Sequence, residues 1–210
     1  MAQTVRSFSR AGISPVFAFL FDEFWAPFHP LDALYGSLLG GYGMLPHFWV
    51  WNAGWNPHRD MGHVSLRSDG SPIAITTWIA LSDANPLNSC MYLVPAHADP
   101  VYGTPRDNEM RFELPSIRAL PVHPGEVLVW NQAVLHWGSR SSPRAQGSRV
   151  SMAFEFQRTD SAPFAEPIIP PGQPLSFEIR LKLIARQVLQ YRHMYQLDPE
   201  VEQLALELAG

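Results

Sequence analysis

The tripeptide His58-Arg59-Asp60 sets an imidazole two residues from a carboxylate. On an extended strand both side chains leave the same face, so one nitrogen and one oxygen can grip a single metal ion. A third donor from a distant segment, His136, would complete a triangle of two imidazoles and one carboxylate. Non-haem Fe(II) sites use that triangle because it leaves the opposite coordination positions open for a co-substrate and dioxygen. His-x-Asp is common on its own, and in a chain with eight histidines a surface hydrogen bond is the plain alternative. The surroundings speak for the metal. His136 lies just past the strand-like run Val127 to Trp130, and Arg149 and Ser151 open another such run.

Arg149 and Ser151 fall on one face of that run, together with Ala153 and Glu155, while Val150, Met152, Phe154 and Phe156 fall on the other. A guanidinium turned into a barrel is costly without a carboxylate partner. Its planar fork fits a carboxylate bidentately, and the Ser151 hydroxyl can add a third hydrogen bond. Either Glu155 or another protein acid supplies that carboxylate, or a small dicarboxylate ligand does. His63 and His97 read as loop or structural histidines, and Cys90 as a buried thiol in a strand. Neither a Gly-x-Ser-x-Gly elbow nor a Walker loop occurs, which removes those hydrolase and nucleotide-binding readings.

Short strands must position these residues. Phe48 to Asn52 is aromatic and β-branched, Ile73 to Leu81 alternates cleanly, and Met91 to Val94 stops at Pro95. Val127 to Trp130, Val134 to Trp137 and Arg149 to Gln157 complete the set. Strands at turn-punctuated intervals predict an antiparallel sandwich or barrel over residues 46–160. Residues 1–45 read as a helical and loop segment packed on that core. Within it, Ile13 to Phe28 is apolar enough for a helix, and Gly36 to Gly43 reads as a flexible loop. Residues 161–210 read as a proline-rich connector followed by helices. Phe177, Leu181, Ile184, Val188, Tyr191 and Tyr195 form one helical stripe, and Asp198-Pro199 forms the cap of a second helix. Trp49, Trp51, Trp55, Trp78 and Trp137 are the pool of pocket-wall residues.

The chain has 210 residues, 46% of them hydrophobic, which suits one globular domain with a real core. Lys plus Arg is 15 against 19 for Asp plus Glu, so no basic stripe exists to neutralise phosphates and nucleic acid is not an expected partner. A single cysteine excludes an internal disulfide and a Cys-rich zinc site. No long apolar run reads as a membrane span, and Met1 to Ser14 lacks a signal-peptide pattern, so a cytoplasmic protein is expected. The tail helices allow a monomer or a homodimer.

In their order along the chain, these motifs resemble the phytanoyl-CoA dioxygenase family. The likeness is carried by His58-Arg59-Asp60, Ala80-Leu81-Ser82-Asp83, and the run Asn88-Ser89-Cys90-Met91-Tyr92-Leu93-Val94-Pro95-Ala96-His97. Pro124-Gly125-Glu126-Val127-Leu128-Val129-Trp130-Asn131, His136-Trp137-Gly138-Ser139 and Arg149-Val150-Ser151 continue it. It runs from Trp49 to Arg158. The resemblance implies a mainly β fold, a double-stranded β-helix (jelly roll, cupin-like) with flanking N-terminal and C-terminal helices. It implies an Fe(II)- and 2-oxoglutarate-dependent oxygenase that consumes O2, oxidises a small-molecule substrate and releases succinate and CO2.

Carried over by position, His58, Asp60 and His136 would be the iron ligands. Arg149 and Ser151 would hold the far carboxylate of 2-oxoglutarate, and Thr76 would place a hydroxyl near that co-substrate. Asp60 stands where related halogenases carry a small residue, so halogenation is not implied. The chain departs from the family pattern at Pro57, where many members have Trp, and at Asn88-Ser89, Ala96-His97 and the longer Ser139 to Ser148 loop. Its segment before the strands is also shorter than in many members. Two other readings remain at this level: a catalytically silent jelly roll that binds a metabolite, and a cupin-like metalloenzyme that uses no 2-oxoglutarate.

Overall fold

The computed structural model describes residues 1–51, 54–194 and 197–210, with Trp51 as backbone only. Eight strands form two four-stranded sheets. They are β1 (Tyr42–Trp51), β2 (Trp55–His58), β3 (Ala74–Ala80), β4 (Met91–Leu93), β5 (Arg118–Leu120), β6 (Val127–Asn131), β7 (His136–Gly138) and β8 (Ser151–Arg158). The major sheet has the order β1-β8-β3-β6 and the minor sheet β2-β7-β4-β5, with every pairing antiparallel. Strands that alternate between two facing sheets make a jelly roll, the double-stranded β-helix.

The alternation in β3 does what its sequence requires. Ile75, Thr77 and Ile79 face one side and Ala74, Thr76, Trp78 and Ala80 the other, and all seven residues are buried. The first side, with Val150 and with Met152, Phe154 and Phe156 of β8, lies under helices and forms the larger core. The second side faces the minor sheet, where Trp78, Trp130, Met91 and Cys90 form a smaller cluster. The main hydrophobic core therefore lies outside the sandwich, which leaves room between the sheets for a cavity.

The covering helices are α1 (Ala2–Arg10), α2 (Asp32–Leu39), α3 (Phe177–Gln190) and α4 (Pro199–Ala209). The Ser176 hydroxyl accepts from the Ile179 N–H to start α3, and Asp198 accepts from the Glu200 N–H to start α4. Leu183, Ile184 and Val188 of α3 enter the same core as Val16, Phe19 and Phe154. The helical tail thus packs on its own domain, and no helix among the described residues is long and apolar enough to cross a membrane.

Several local expectations change. Ile13 to Phe28 is no continuous helix but a chain of 3-10 turns at Pro15–Leu20, Asp22–Phe24 and Ala26–Leu31, because prolines at 15, 27 and 30 keep restarting it. Gly36 lies inside α2 and Gly43 inside β1, so the expected glycine loop shrinks to a turn at Gly40, with φ of +71°. Phe177 begins the expected α3 stripe yet is exposed, since the buried face runs through Leu183, Ile184, Gln187 and Val188. Tyr195 lies outside the described residues. Cys90 precedes β4 rather than lying in it, and it is buried, with burial pushing its thiol up.

β1 carries a bulge. Met44 pairs with Phe156 and Phe48 with Phe154, so residues 45–47 stand opposite Glu155 alone. Pro46 sits in the bulge, where a missing N–H does no harm. The buried Gln187 of α3 serves the disrupted ladder: its amide donates to the Pro46 carbonyl at 2.6 Å, and its oxygen accepts from the Phe48 N–H at 3.3 Å.

Candidate metal and oxo-acid site

His58 ends β2 and His136 begins β7, directly opposite each other in the antiparallel pair, with ring centroids 4.4 Å apart. Asp60 comes from the turn beyond β2, not from the strand. The expected two-residue strand geometry is therefore replaced. The chain leaves the sheet after His58, and Arg59 turns away to a buried ion pair with Asp99. The convergence results all the same: Asp60 Oδ1 lies 3.5 Å from His58 Nε2 and 3.6 Å from His136 Nε2. One donor atom from each residue falls within 4.8 Å of the others.

The other atoms of these side chains are already in use. His58 Nδ1 lies 2.7 Å from the Asn56 carbonyl, and His136 Nδ1 lies 3.0 Å from the Val134 carbonyl. A proton on each Nδ1 satisfies those carbonyls and turns the Nε2 lone pairs toward Asp60. Asp60 Oδ2 accepts from the Thr76 hydroxyl at 2.6 Å and from the Trp130 indole at 3.3 Å. Thr76 thus orients the carboxylate while also lining the cavity that Arg149 shares. Gln132 Nε2 stands behind the Thr76 hydroxyl at 3.4 Å.

Electrostatics agrees with this division. Burial alone would raise the Asp60 carboxyl, but the two imidazoles and the Thr76 hydroxyl hold it well below the usual carboxylate range. Burial pushes His136 down, which favours the neutral ring that ligates metal. Burial also opposes protonation of His58, yet its hydrogen bond and attraction to Asp60 outweigh that and raise it. Two nitrogens and one anionic oxygen at these separations are what a cation with bonds of about 2.0–2.2 Å can bridge. The donor set fits Fe(II).

Arg149 precedes β8 and is 3% exposed. Its guanidinium donates to the buried Ser151 hydroxyl and lies 5.2 Å from the centre of the Trp78 ring. Burial pushes it down to about 10, so it keeps its charge at neutral pH and pays a desolvation cost that a carboxylate offsets. Glu155 is not that carboxylate: it pairs with His47 at 3.2 Å. Arg149 lines one cavity of about 280 Å³ between the sheets together with His58, Asp60 and His136. A cationic fork and a hydroxyl at one end of a metal-lined cavity fit the far carboxylate of 2-oxoglutarate.

Trp49, Trp55 and Trp78 line this cavity as expected, and Trp130 joins them. Trp137 does not; its ring stacks on Tyr92 and Phe112 instead. The side chain of Trp51 lies outside the described residues. His63 pairs with Asp107, and His97 lies in an exposed 3-10 turn. The sequence reading missed Gln190 and Tyr191 of the C-terminal segment, His47 on β1, and the Arg59–Asp99 pair. Only the three-residue distance between Gln187 and Gln190 hinted that a polar edge of α3 faces the sheet.

Residues 52–148 match the family model described as phytanoyl-CoA dioxygenase, a span that holds His58, Asp60, Thr76 and His136 and stops just before Arg149. No curated protein sequence matches the chain. Among solved structures, the non-heme monooxygenase ThoJ in its apo form is 16% identical, with 77% of this chain and 74% of that one covered and a TM-score of 0.52. That likeness shows a shared fold. The non-heme alpha ketoglutarate dependent epimerase SnoN from nogalamycin biosynthesis is 20% identical over 72% of this chain, with a TM-score of 0.47. HygX from Streptomyces hygroscopicus, with nickel, 2-oxoglutarate and hygromycin B bound, is 18% identical over 62% of this chain, with a TM-score of 0.49. The chain spans 63% of the length of SnoN and 62% of that of HygX. In its ordered motifs and in the matched segment, just under half of its length, the chain is similar to the phytanoyl-CoA dioxygenase family.

Proposed function

We propose that this chain is an Fe(II)- and 2-oxoglutarate-dependent oxygenase that hydroxylates an unactivated C–H bond of a small organic molecule bound in the 280 Å³ cavity. His58, Asp60 and His136 would hold the iron, and Arg149 with Ser151 would hold the far carboxylate of 2-oxoglutarate. Together iron and oxo acid supply an oxidation in which O2 delivers one oxygen to the substrate and one to succinate, with loss of CO2.

The chain's own residues do the rest. The Asn56 and Val134 carbonyls fix both imidazoles, and Thr76 and Trp130 fix the carboxylate, so the donors need little reorganisation. Arg149 sets the orientation of the dicarboxylate, while Trp49, Trp55, Trp78 and Trp130 exclude water from the space beside it. The observation that carries the reading is the approach of two imidazole nitrogens to the same oxygen of Asp60 in a cavity shared with Arg149.

The experiment is succinate formation from 2-oxoglutarate with Fe(II), in the presence and absence of candidate small molecules. His58→Ala and His136→Ala are expected to abolish it, and Arg149→Ala to raise the KM for 2-oxoglutarate. Unchanged turnover in either histidine variant would refute the assignment.

A further inference from the structure

The cavity has a second polar end that the chemistry above does not use. Glu155 of β8 stands directly opposite Thr76 of β3, so its side chain leaves the sheet on the same face as Thr76 and toward the cavity it lines. Arg149 and Glu155 therefore mark the two ends of one strand face, a cation at the oxo-acid end and a carboxylate at the other. The β1 bulge brings His47 to Glu155, where Nδ1 meets Oε2 at 3.2 Å. Among the described residues no hydrogen bond reaches Glu155 Oε1. Trp49, two residues past His47, lines the same cavity, and its ring lies 4.2 Å from that of Tyr191, which lines it too.

Charge bookkeeping gives this end a sign. Asp60 is assigned to the metal, Arg149 to the oxo acid, Arg59 is held by Asp99, and His47 takes one oxygen of Glu155, whose hydrogen bond raises the imidazole. Glu155 is then the remaining carboxylate on the wall, partly exposed, with Oε1 open, in a cavity that Trp49 and Tyr191 also line. A carboxylate sharing a cavity with Trp and Tyr is the chemistry that holds an ammonium group, through a charge-assisted hydrogen bond and cation–π attraction.

We propose that Glu155, positioned by His47 in the cavity that Trp49 and Tyr191 also line, binds a basic nitrogen of the substrate, so that the molecule oxidised is a small amine. This rests on the oxygenase reading for the assignment of the other charges.

The test uses full-length protein loaded with Zn(II) and 2-oxoglutarate, which is silent in turnover, titrated by calorimetry with hexylamine, 1-hexanol and hexanoate. Hexylamine is expected to bind about tenfold or more tightly than 1-hexanol, the worth of one charge-assisted contact. Glu155→Gln, which keeps the size and can still accept from His47, is expected to erase that preference. Glu155→Asp, which keeps the charge, is expected to retain it. Hexylamine binding no tighter than 1-hexanol, or a preference that survives in Glu155→Gln, overturns the proposal. Uptake of Zn(II) and 2-oxoglutarate, scored first on the same sample, reports on the oxygenase reading alone. A chain that takes up both and shows no amine preference keeps that reading and loses this one.

Discussion

Arg59, the residue between His58 and Asp60, carries its guanidinium to within 2.5 Å of the Asp99 carboxylate, with the two side chains 3% and 0% exposed. A second guanidinium nitrogen donates to the Asp107 carbonyl, and the Asp107 carboxylate receives the His63 N–H and ring. The segment 99–107 therefore clamps the turn that presents Asp60. Removing one partner of such a buried pair costs about 3–5 kcal/mol, whereas replacing both with apolar residues can be nearly neutral. Asp99→Leu is expected to lower stability in urea by that amount and to weaken metal binding. The double variant Arg59→Met/Asp99→Leu is expected to recover most of the stability. If the double variant is as unstable as the single one, the pair is not what holds the turn.

Thr76 reaches the metal site through Asp60. Thr76→Val keeps the shape but removes the donor to Oδ2, and it is expected to weaken Fe(II) binding by about 10–100-fold. Thr76→Ser restores the hydroxyl and is expected to stay near the parent value. Competition with a coloured chelator measures both, and equal affinities for Thr76→Val and the parent would contradict the role.

Gly138 pairs with Met91 on one side and Trp55 on the other, and it lies under Arg149. A Cβ there would fall 3.2 Å from Arg149 Nη2, 3.3 Å from the Gly54 Cα and 3.3 Å from Ser89 Oγ. The backbone of Gly54 cannot yield cheaply, so the guanidinium must. Gly138→Ala is expected to raise the KM for 2-oxoglutarate by roughly tenfold, the effect of about 1.4 kcal/mol of crowding. A KM that does not move would place the oxo acid elsewhere.

Gln187 is 1% exposed and serves two backbone groups freed by the β1 bulge. Gln187→Leu fills the same space but strands a buried carbonyl and a buried N–H. A loss of about 1–3 kcal/mol is expected, read as a lower urea midpoint at unchanged slope. Full stability in that variant would mean the bulge finds other partners.

The convergence of His58, Asp60 and His136 was legible in the sequence because they lie in short, strongly patterned segments with family motifs around them. Asp60, however, arrives by another route than strand periodicity, which stops at His58 where a tertiary ion pair turns the chain. Arg149 could be read because a cation beside an alternating apolar run demands a partner. Glu155 was one of the partners considered, and the β1 bulge, which no local propensity encodes, gives it to His47 instead. The hidden contacts are the long-range ones: Arg59 to Asp99 spans 40 residues, His47 to Glu155 spans 108, and Gln187 to Pro46 spans 141. Each engages a polar side chain that looks like an ordinary surface position until the sheets close. The 3-10 turns after Ile13 were missed because continuous apolar character carries no period.

The central claim is that His58, Asp60 and His136 share one ferrous ion beside a bound oxo acid. Anaerobic titration with Fe(II), followed by visible absorbance with and without 2-oxoglutarate, tests it most directly. The expected result is one Fe(II) per chain and a charge-transfer band that needs both components and disappears in His136→Ala. A parent protein that takes up no Fe(II), or a band that His136→Ala leaves intact, would contradict the account.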